Sequence, residues 1–437
     1  MFVPSPLSRQ ASISRRDMLQ LGVGAAALLS TGAVAGAATG SDIPTTGNEE
    51  PKLAAFDKLM ADAMARWDIP GGQLAIAHDG RLVFNRGYGY ASVEDQEVVE
   101  PDARFRIASS SKPITAVAVL KLVDQGKLAL DTPVFPLLAY ERLPNAPYDA
   151  RLDRVTVRHL LMHAGGWNSA LGVDPQYLPW PLLAAHVLGV PNPPEAEDIV
   201  RAMLAQPLDF DPGTKSAYSN FGFNVLGRVI EHVSGQPYER FVLDEVLAPA
   251  GIGSMAIGGT TLEERLPGEV RYYAPDGMAP RPSVYPGGGF VPVAYGSFYL
   301  RSLDAHGGWI ASASDLVRFM LAIDGSRGER LLRPETVTAM ESAKRPPATA
   351  AGAGNLKEAL GLGWNSVAKD GGYEWSHAGA LEGSNASWML RTADGTALAF
   401  VFNSLPADYN GFFGDILPQF QQLIAATKDW PETNLFE

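Results

Sequence analysis

Ser109 and Lys112 stand three residues apart in Phe105-Arg106-Ile107-Ala108-Ser109-Ser110-Ser111-Lys112-Pro113-Ile114-Thr115, a hydroxyl and an amine of the kinds that together make an activated nucleophile. The chain that follows, Ala116 to Val123, is a good helix former closed by Gln125-Gly126, so the spacing predicts both side chains in the first turn of one helix, on one face. The positive end of a helix and poor solvation disfavour an ammonium there. The amine could then accept the serine proton. On its own the tetrapeptide is weak, because a capped helix with a solvated lysine reads the same way.

Two more segments carry side chains of the right kinds. Asp211-Pro212-Gly213-Thr214-Lys215-Ser216-Ala217-Tyr218-Ser219-Asn220 is a Pro-Gly turn leading into a helix, which puts Tyr218 and Asn220 on a loop. Tyr373-Glu374-Trp375-Ser376-His377-Ala378-Gly379-Ala380 reads as a strand ending in small residues, where backbone N–H groups can approach a ligand closely. Taken in order, Ser109/Lys112, Tyr218/Asn220 and His377/Gly379 resemble the Ser-x-x-Lys, Tyr-x-Asn and Lys-Thr-Gly or His-x-Gly motifs of the penicillin-binding protein and class C β-lactamase superfamily of serine hydrolases. The segments Val155 to Gly166 and Gly307 to Leu316 resemble that superfamily too, and the likeness spans about residues 51 to 430.

The resemblance implies acyl transfer through a covalent serine ester. Ser109 would attack the carbonyl, and Lys112 and Tyr218 would share the proton work, with the choice of general base left open. A tyrosine with an ordinary pKa of about 10 serves as a phenolate only where a neighbouring cation lowers that value. Asn220 would orient Lys112 and the substrate, while the backbone N–H groups of Ser109 and Ala380, beside Gly379, are the candidate oxyanion donors. His377 departs from the lysine of β-lactamases. Imidazole with a pKa near 6.5 is mostly neutral at pH 7 and gains charge below about pH 6, so its attraction for a substrate carboxylate is weak and pH-dependent. The histidine form resembles the esterase and D-aminopeptidase branch. An esterase or amidase on small acyl substrates therefore ranks first, a D-Ala-D-Ala carboxypeptidase or D-aminopeptidase second and a β-lactamase third. A non-catalytic cell-wall binding protein is a further alternative, opposed by the three intact motifs.

Other chemistries fit poorly. His159 and His163 form His-x-x-x-His, but the zinc-protease version needs a glutamate after the first histidine, where this chain has Leu160, and there is no cysteine to serve as a ligand. No metal site and no cofactor are expected, and the two histidines read as hydrogen-bonded scaffold around Gly165-Gly166. Gly-x-Ser-x-Gly is absent, and Gly87-Tyr88-Gly89 lacks the rest of a dinucleotide fingerprint.

The elements that must position these residues follow from periodicity. Leu53, Phe56, Leu59, Met60, Met64 and Trp67 recur at helical spacing, and two runs, Gln73 to His78 and Arg81 to Arg86, flank the hairpin signal Asp79-Gly80. The same pattern returns in Ala386 to Arg391 and Thr396 to Phe402 around Asp394-Gly395, before a last helix from about Phe412 to Thr427. Helical patterns fill the middle. The expected fold class is α+β: an antiparallel sheet built from N- and C-terminal segments and flanked by helices, with an inserted, mainly helical domain. The resemblance implies the same β-lactamase/transpeptidase-like fold, with the site between the two parts. The α/β part would be about 51–106 and 296–437, and the helical part about 107–295. The irregular stretches 168–195 and 256–300, rich in aromatic residues such as Tyr177, Tyr272, Tyr285 and Tyr295, suit either a cleft rim or surface packing.

With 437 residues and 46% hydrophobic content the chain can bury a large core. Residues 1–37 are set apart: Arg9, Arg15 and Arg16 precede the apolar stretch Met18 to Val34, and Ser14-Arg15-Arg16-Asp17-Met18-Leu19 looks like a twin-arginine export signal, followed by Ala33-Val34-Ala35 or Ala35-Gly36-Ala37 as a cleavage site. The twin-arginine translocation machinery would then be a partner, the protein periplasmic or secreted, and no stable membrane anchor is expected, since the run is only mildly hydrophobic. Residues 38–50 read as a polar linker ahead of the hydrolase domain at 51–437. Removing residues 1–37 takes away three Arg and one Asp, so the net charge moves from −13 to −15. Such acidity argues against nucleic acid and leaves a small-molecule ester, amide or D-peptide as the expected substrate.

Overall fold

The computed structural model describes residues 43–171, 174–349 and 361–436. The expected export signal at 1–37 lies outside them. Segments from the two ends of the described chain, 45–92 and 365–402, meet in one antiparallel sheet. Its main path runs through β1 (Thr45–Gly47), β2 (Gly71–His78), β3 (Arg81–Ser92), β4 (Asn365–Lys369), β5 (Gly372–Leu381), β6 (Asn385–Arg391) and β7 (Ala397–Phe402), in the spatial order β1-β3-β2-β7-β6-β5-β4, and the short strand Glu97–Val98 pairs with the end of β3 off this path. The pairing of β2 with β7, Ala77 opposite Ala397 and Gly72 opposite Phe402, joins the N-terminal hairpin to the C-terminal meander. Both Asp-Gly turns fall between paired strands, β2 with β3 and β6 with β7; Asp79 and Gly80 take the positive φ values of 50° and 72° that a tight hairpin needs, while in the second turn only Gly395 is left-handed. The expected linker is partly structured: Thr45–Gly47 pairs with Gly87 and its neighbours as an edge strand.

Side-chain size alternates across the sheet. On β7, Leu398, Phe400 and Phe402 pack with Phe56, Met60, Phe412 and Phe420 of the helices α1 (Ala54–Trp67) and α5 (Tyr409–Ala426). Ala397, Ala399 and Val401 on its other face join the core that includes Phe319 and Met320 of α4 (Ala313–Ile323). Small residues on one face let α4 lie close to the sheet, and large ones fill the wider gap to α1 and α5.

The helix after the serines, α2 (Ser111–Asp124), is buried from Ser111 through Leu120 without exception. A helix enclosed on all sides is a core helix, so whatever polar group it carries sits in a desolvated place. Beside it runs α3 (Asn220–Ser234), buried from Asn220 through Ile230 and capped by Ser219, whose Oγ accepts from Gly222 N. Asn220 thus opens a helix, where a loop position was expected, because the serine between it and Tyr218 is the N-cap. Among the described residues no helix is long and apolar enough to cross a membrane.

Of the aromatic residues that suited either a cleft rim or surface packing, Tyr272 is buried and Tyr295 half-buried. Tyr272, Tyr295 and Phe298 surround the guanidinium of buried Arg106, with Tyr272 4.3 Å from it, and Arg106 also donates to the carbonyls of Ala294 and Gly259. Packing explains that cluster. Of the exposed large apolar residues, Phe290 stands on the same stretch.

Candidate active site

Ser109 lies in a 3-10 turn, Ala108–Ser110, immediately before α2. Ala108 holds φ at +46°, a left-handed conformation that costs a non-glycine residue on the order of 1 kcal/mol and persists only where the surroundings impose it. The surroundings are visible. Ser387 on β6 donates from Oγ to the Ile107 carbonyl at 2.7 Å, its Oγ lies 2.8 Å from that of Ser110, and Ile107 N donates to the Trp309 carbonyl at 3.0 Å. Ser110, fully buried in this clamp, is a structural hydroxyl, while Ser109 keeps partial exposure.

The three sequence segments converge on Ser109. Lys112 Nζ is 3.0 Å from Ser109 Oγ, and the Tyr218 hydroxyl donates to the same oxygen at 2.7 Å. Lys112 Nζ also donates to Asn220 Oδ1 at 2.7 Å and to the His306 carbonyl at 3.0 Å. Burial drives the Lys112 pKa down from 10.5 to about 7, partly offset by the negative charge of Asp174. Burial pushes the Tyr218 phenol the other way, well above its usual range, with the Ser109 hydrogen bond a smaller, opposing influence. A phenolate at Tyr218 is therefore disfavoured at neutral pH, and a neutral amine at Lys112 is readily available.

His377, Gly379 and Ala380 lie on β5. The strand pairs with β4 only as far as Ser376, so from His377 to Leu381 it pairs with β6 alone, and its other edge faces the Ala108–Ser110 turn. Gly379 has a packing reason: a Cβ there would stand 2.1 Å from the Ile107 carbonyl oxygen and 2.3 Å from Ser387 Oγ. His377 is buried, and its Nδ1 lies 2.8 Å from the Ala378 carbonyl, which can only accept, so Nδ1 carries the proton and Nε2 is an acceptor. Desolvation first, then the Lys112 charge, lower its pKa from 6.5 to about 3. The expected gain of charge below pH 6 is thus corrected: this imidazole stays neutral through the working range.

His159 and His163 act as scaffold. The His159 ring completes a capping box with Thr156 and packs under the Asp211-Pro212-Gly213 turn, where a Cβ on Gly213 would meet Nε2 at 2.6 Å. His163 accepts from Ser219 N at 3.3 Å and lays its ring 4.7 Å from that of Tyr218. Both histidines therefore position the Tyr218 loop.

Two groups escaped the sequence reading. Asp174 Oδ2 accepts from Asn220 Nδ2 at 2.7 Å, and its other oxygen accepts from Gln176 N at 3.2 Å. It sits in an irregular stretch with nothing in the local pattern to mark it. The His306 carbonyl is main chain, so residue type says nothing of its role; only the adjoining Gly307-Gly308 hinted at a close approach.

Comparison with known proteins gives the family and the fold. A family model described as Beta-lactamase matches residues 56–412. The chain is 29% identical over 389 residues to esterase EstB of Burkholderia gladioli, covering 83% of this chain and 92% of that one. It shares 26% identity over 194 residues with protein flp of Staphylococcus aureus (strain N315), 44% of this chain but only 36% of the length of that relative. The solved D-amino acid amidase of Ochrobactrum anthropi SV3, complexed with L-phenylalanine amide, superposes with a TM-score of 0.65 at 23% identity, over 87% of this chain and 100% of that one, a likeness of fold.

Proposed function

The chain belongs to the Beta-lactamase family, and we propose that it is an exported serine hydrolase that cleaves small esters or amides through a Ser109 acyl-enzyme. The observation that carries this reading is the set of partners around Lys112 Nζ. A neutral amine has two N–H donors and one lone pair. Asn220 Oδ1 and the His306 carbonyl can only accept, so they take both donors, and the lone pair is left for the Ser109 hydroxyl. Lys112 is then the base that draws the Ser109 proton as Oγ attacks the substrate carbonyl. The Tyr218 phenol, kept protonated by burial, donates to Oγ and is placed to hand its proton to the leaving group, recovering one from Lys112. Water then enters, Lys112 deprotonates it, and the ester to Ser109 is hydrolysed. The backbone N–H groups of Ser109 and Ala380 receive the developing oxyanion, a contribution of about 3 kcal/mol per donor.

A neutral His377 supports esters or amides over substrates that must anchor a carboxylate, and the relative named an esterase over nearly its whole length points the same way. A hydrolysis screen over p-nitrophenyl esters, D-amino-acid amides and nitrocefin tests the ranking. Short-chain esters should be turned over fastest, and a preference for nitrocefin or for D-amino-acid amides would replace this reading. Export rests on Arg15 and Arg16; replacing both by lysine should hold the protein in the cytoplasm, and unchanged fractionation would dismiss the twin-arginine signal.

A further inference from the structure

We infer that Asp174 is a positioning residue for the Ser109 reaction: its carboxylate fixes the Asn220 amide so that the lone pair of Lys112 is left facing Ser109. The inference rests on the proposed hydrolase function. An asparagine amide has an acceptor end and a donor end, and nothing in its shape decides which end faces a neighbour. A carboxylate can only accept. With Asp174 Oδ2 at 2.7 Å from Asn220 Nδ2, the donor end is committed to Asp174 and Oδ1 must face Lys112, where it lies 2.7 Å from Nζ. Were the amide reversed, its N–H would compete with Ser109 for the lysine lone pair, and the base would be aimed away from the nucleophile. Asp174 is itself held, through Gln176 N, by the loop that carries it.

The same carboxylate acts on Lys112 through charge. The groups that face Lys112 are Tyr218 on the loop before α3, Asn220 at the start of α3, Ser109 on its own turn, His306 on the opposite loop, His163 and His377 nearby, and Asp174. The three histidines are all held neutral by burial, which leaves Asp174 as the anion acting on the Lys112 ammonium; burial raises its own pKa, opposed by the hydrogen bonds from Asn220 and Gln176 N and by the Lys112 charge. Removing its charge makes Lys112 a weaker base with a lower pKa.

The test follows the rate of covalent inactivation by a fluorophosphonate between about pH 5 and pH 9, for the wild type, Asp174→Asn, Asp174→Ala and Ser109→Ala. The wild-type rate should rise through the Lys112 pKa of about 7. Asp174→Asn keeps an acceptor for Asn220 but loses the charge, so its acidic limb should move to lower pH while its plateau falls less than about tenfold. Asp174→Ala frees the amide, and its plateau should drop by roughly ten- to a hundredfold, with thermal melting recorded alongside. A merely structural role would lower rates without moving the limb. The inference is overturned if the Asp174→Asn limb stays at the wild-type pH, a result readable even where Asp174→Ala fails to fold, or if a folded Asp174→Ala matches the wild-type plateau. Labelling that persists in Ser109→Ala would instead sink the hydrolase assignment, and this inference with it.

Discussion

Lys112 Nζ stands 3.0 Å from the carbonyl oxygen of His306, a residue 194 positions away along the chain. That contact, with Asn220 Oδ1 as its counterpart, makes α2 more than a hydrophobic core helix. It turns a lysine that burial would otherwise only penalise into an amine with its lone pair directed at Ser109.

From the lowered Lys112 pKa comes a pH dependence. The base must be neutral, so kcat/KM for a neutral ester should rise as pH increases through about 7. Lys112→Ala and Tyr218→Phe should each lower kcat by orders of magnitude, and the double variant should be little worse than the poorer single, because residues serving one proton path are not additive. Steady-state kinetics from pH 5 to 9 check both; a flat profile, or strictly multiplicative losses, would separate the two residues into different steps.

Stability changes in the same direction, over a higher pH window. The folded Lys112 pKa, about 7, lies below its ordinary 10.5, so between those values the unfolded chain binds more protons than the folded one. Unfolding free energy from this group therefore rises with pH across that window and is lowest beneath it. Denaturant titrations of wild type and Lys112→Met should show the variant gaining relative stability as pH falls from about 10 to about 7. A difference independent of pH would mean that Lys112 is charged in the folded protein.

Much of this was readable in advance, for identifiable reasons. Ser109, Lys112, Tyr218 and His377 are chemically distinctive types, and their ordered motifs carried the family resemblance that implied one shared site; the Asp79-Gly80 and Asp394-Gly395 turns are strong local signals, so the hairpins followed from short stretches of chain. Asp174 and the His306 carbonyl were not legible, because their roles exist only once distant segments meet. Arg106 with Tyr272 and Tyr295 shows the same limit: aromatic composition alone did not distinguish a cleft rim from a buried cation cluster. The start of α3 was misplaced by one residue, at Phe221 in place of Asn220, since Ser219 looked like loop and is a cap.

For His377, neutrality can be observed directly. Its ring carbon and nitrogen NMR shifts should stay constant from about pH 8 to pH 5, as expected for a pKa of about 3 with Nδ1 as the protonated nitrogen. A midpoint near 6.5 would restore a charge-based selectivity. His377→Lys should raise nitrocefin hydrolysis relative to a short-chain ester, by roughly 1 to 4 kcal/mol in the ratio before desolvation losses.

Gly379 should tolerate no side chain. A methyl group there would collide with the Ile107 carbonyl and Ser387 Oγ, so Gly379→Ala must push β5 from the Ala108–Ser110 turn. We expect a loss of about 1 to 3 kcal/mol in unfolding free energy together with a fall in kcat greater than tenfold. Calorimetry and kinetics on the same preparation would show whether the two losses coincide; unchanged activity would detach the turn from catalysis.

The central claim, that Ser109 forms the covalent intermediate, is tested most directly by intact-mass and peptide mass spectrometry after brief exposure to a fluorophosphonate or to a slowly turned-over p-nitrophenyl ester. The account predicts one adduct per chain, mapped to the peptide containing Ser109 and absent from a Ser109→Ala variant whose stability stays within about 1 kcal/mol of wild type. An adduct on Ser110 or on any other residue, or undiminished turnover in Ser109→Ala, would contradict it.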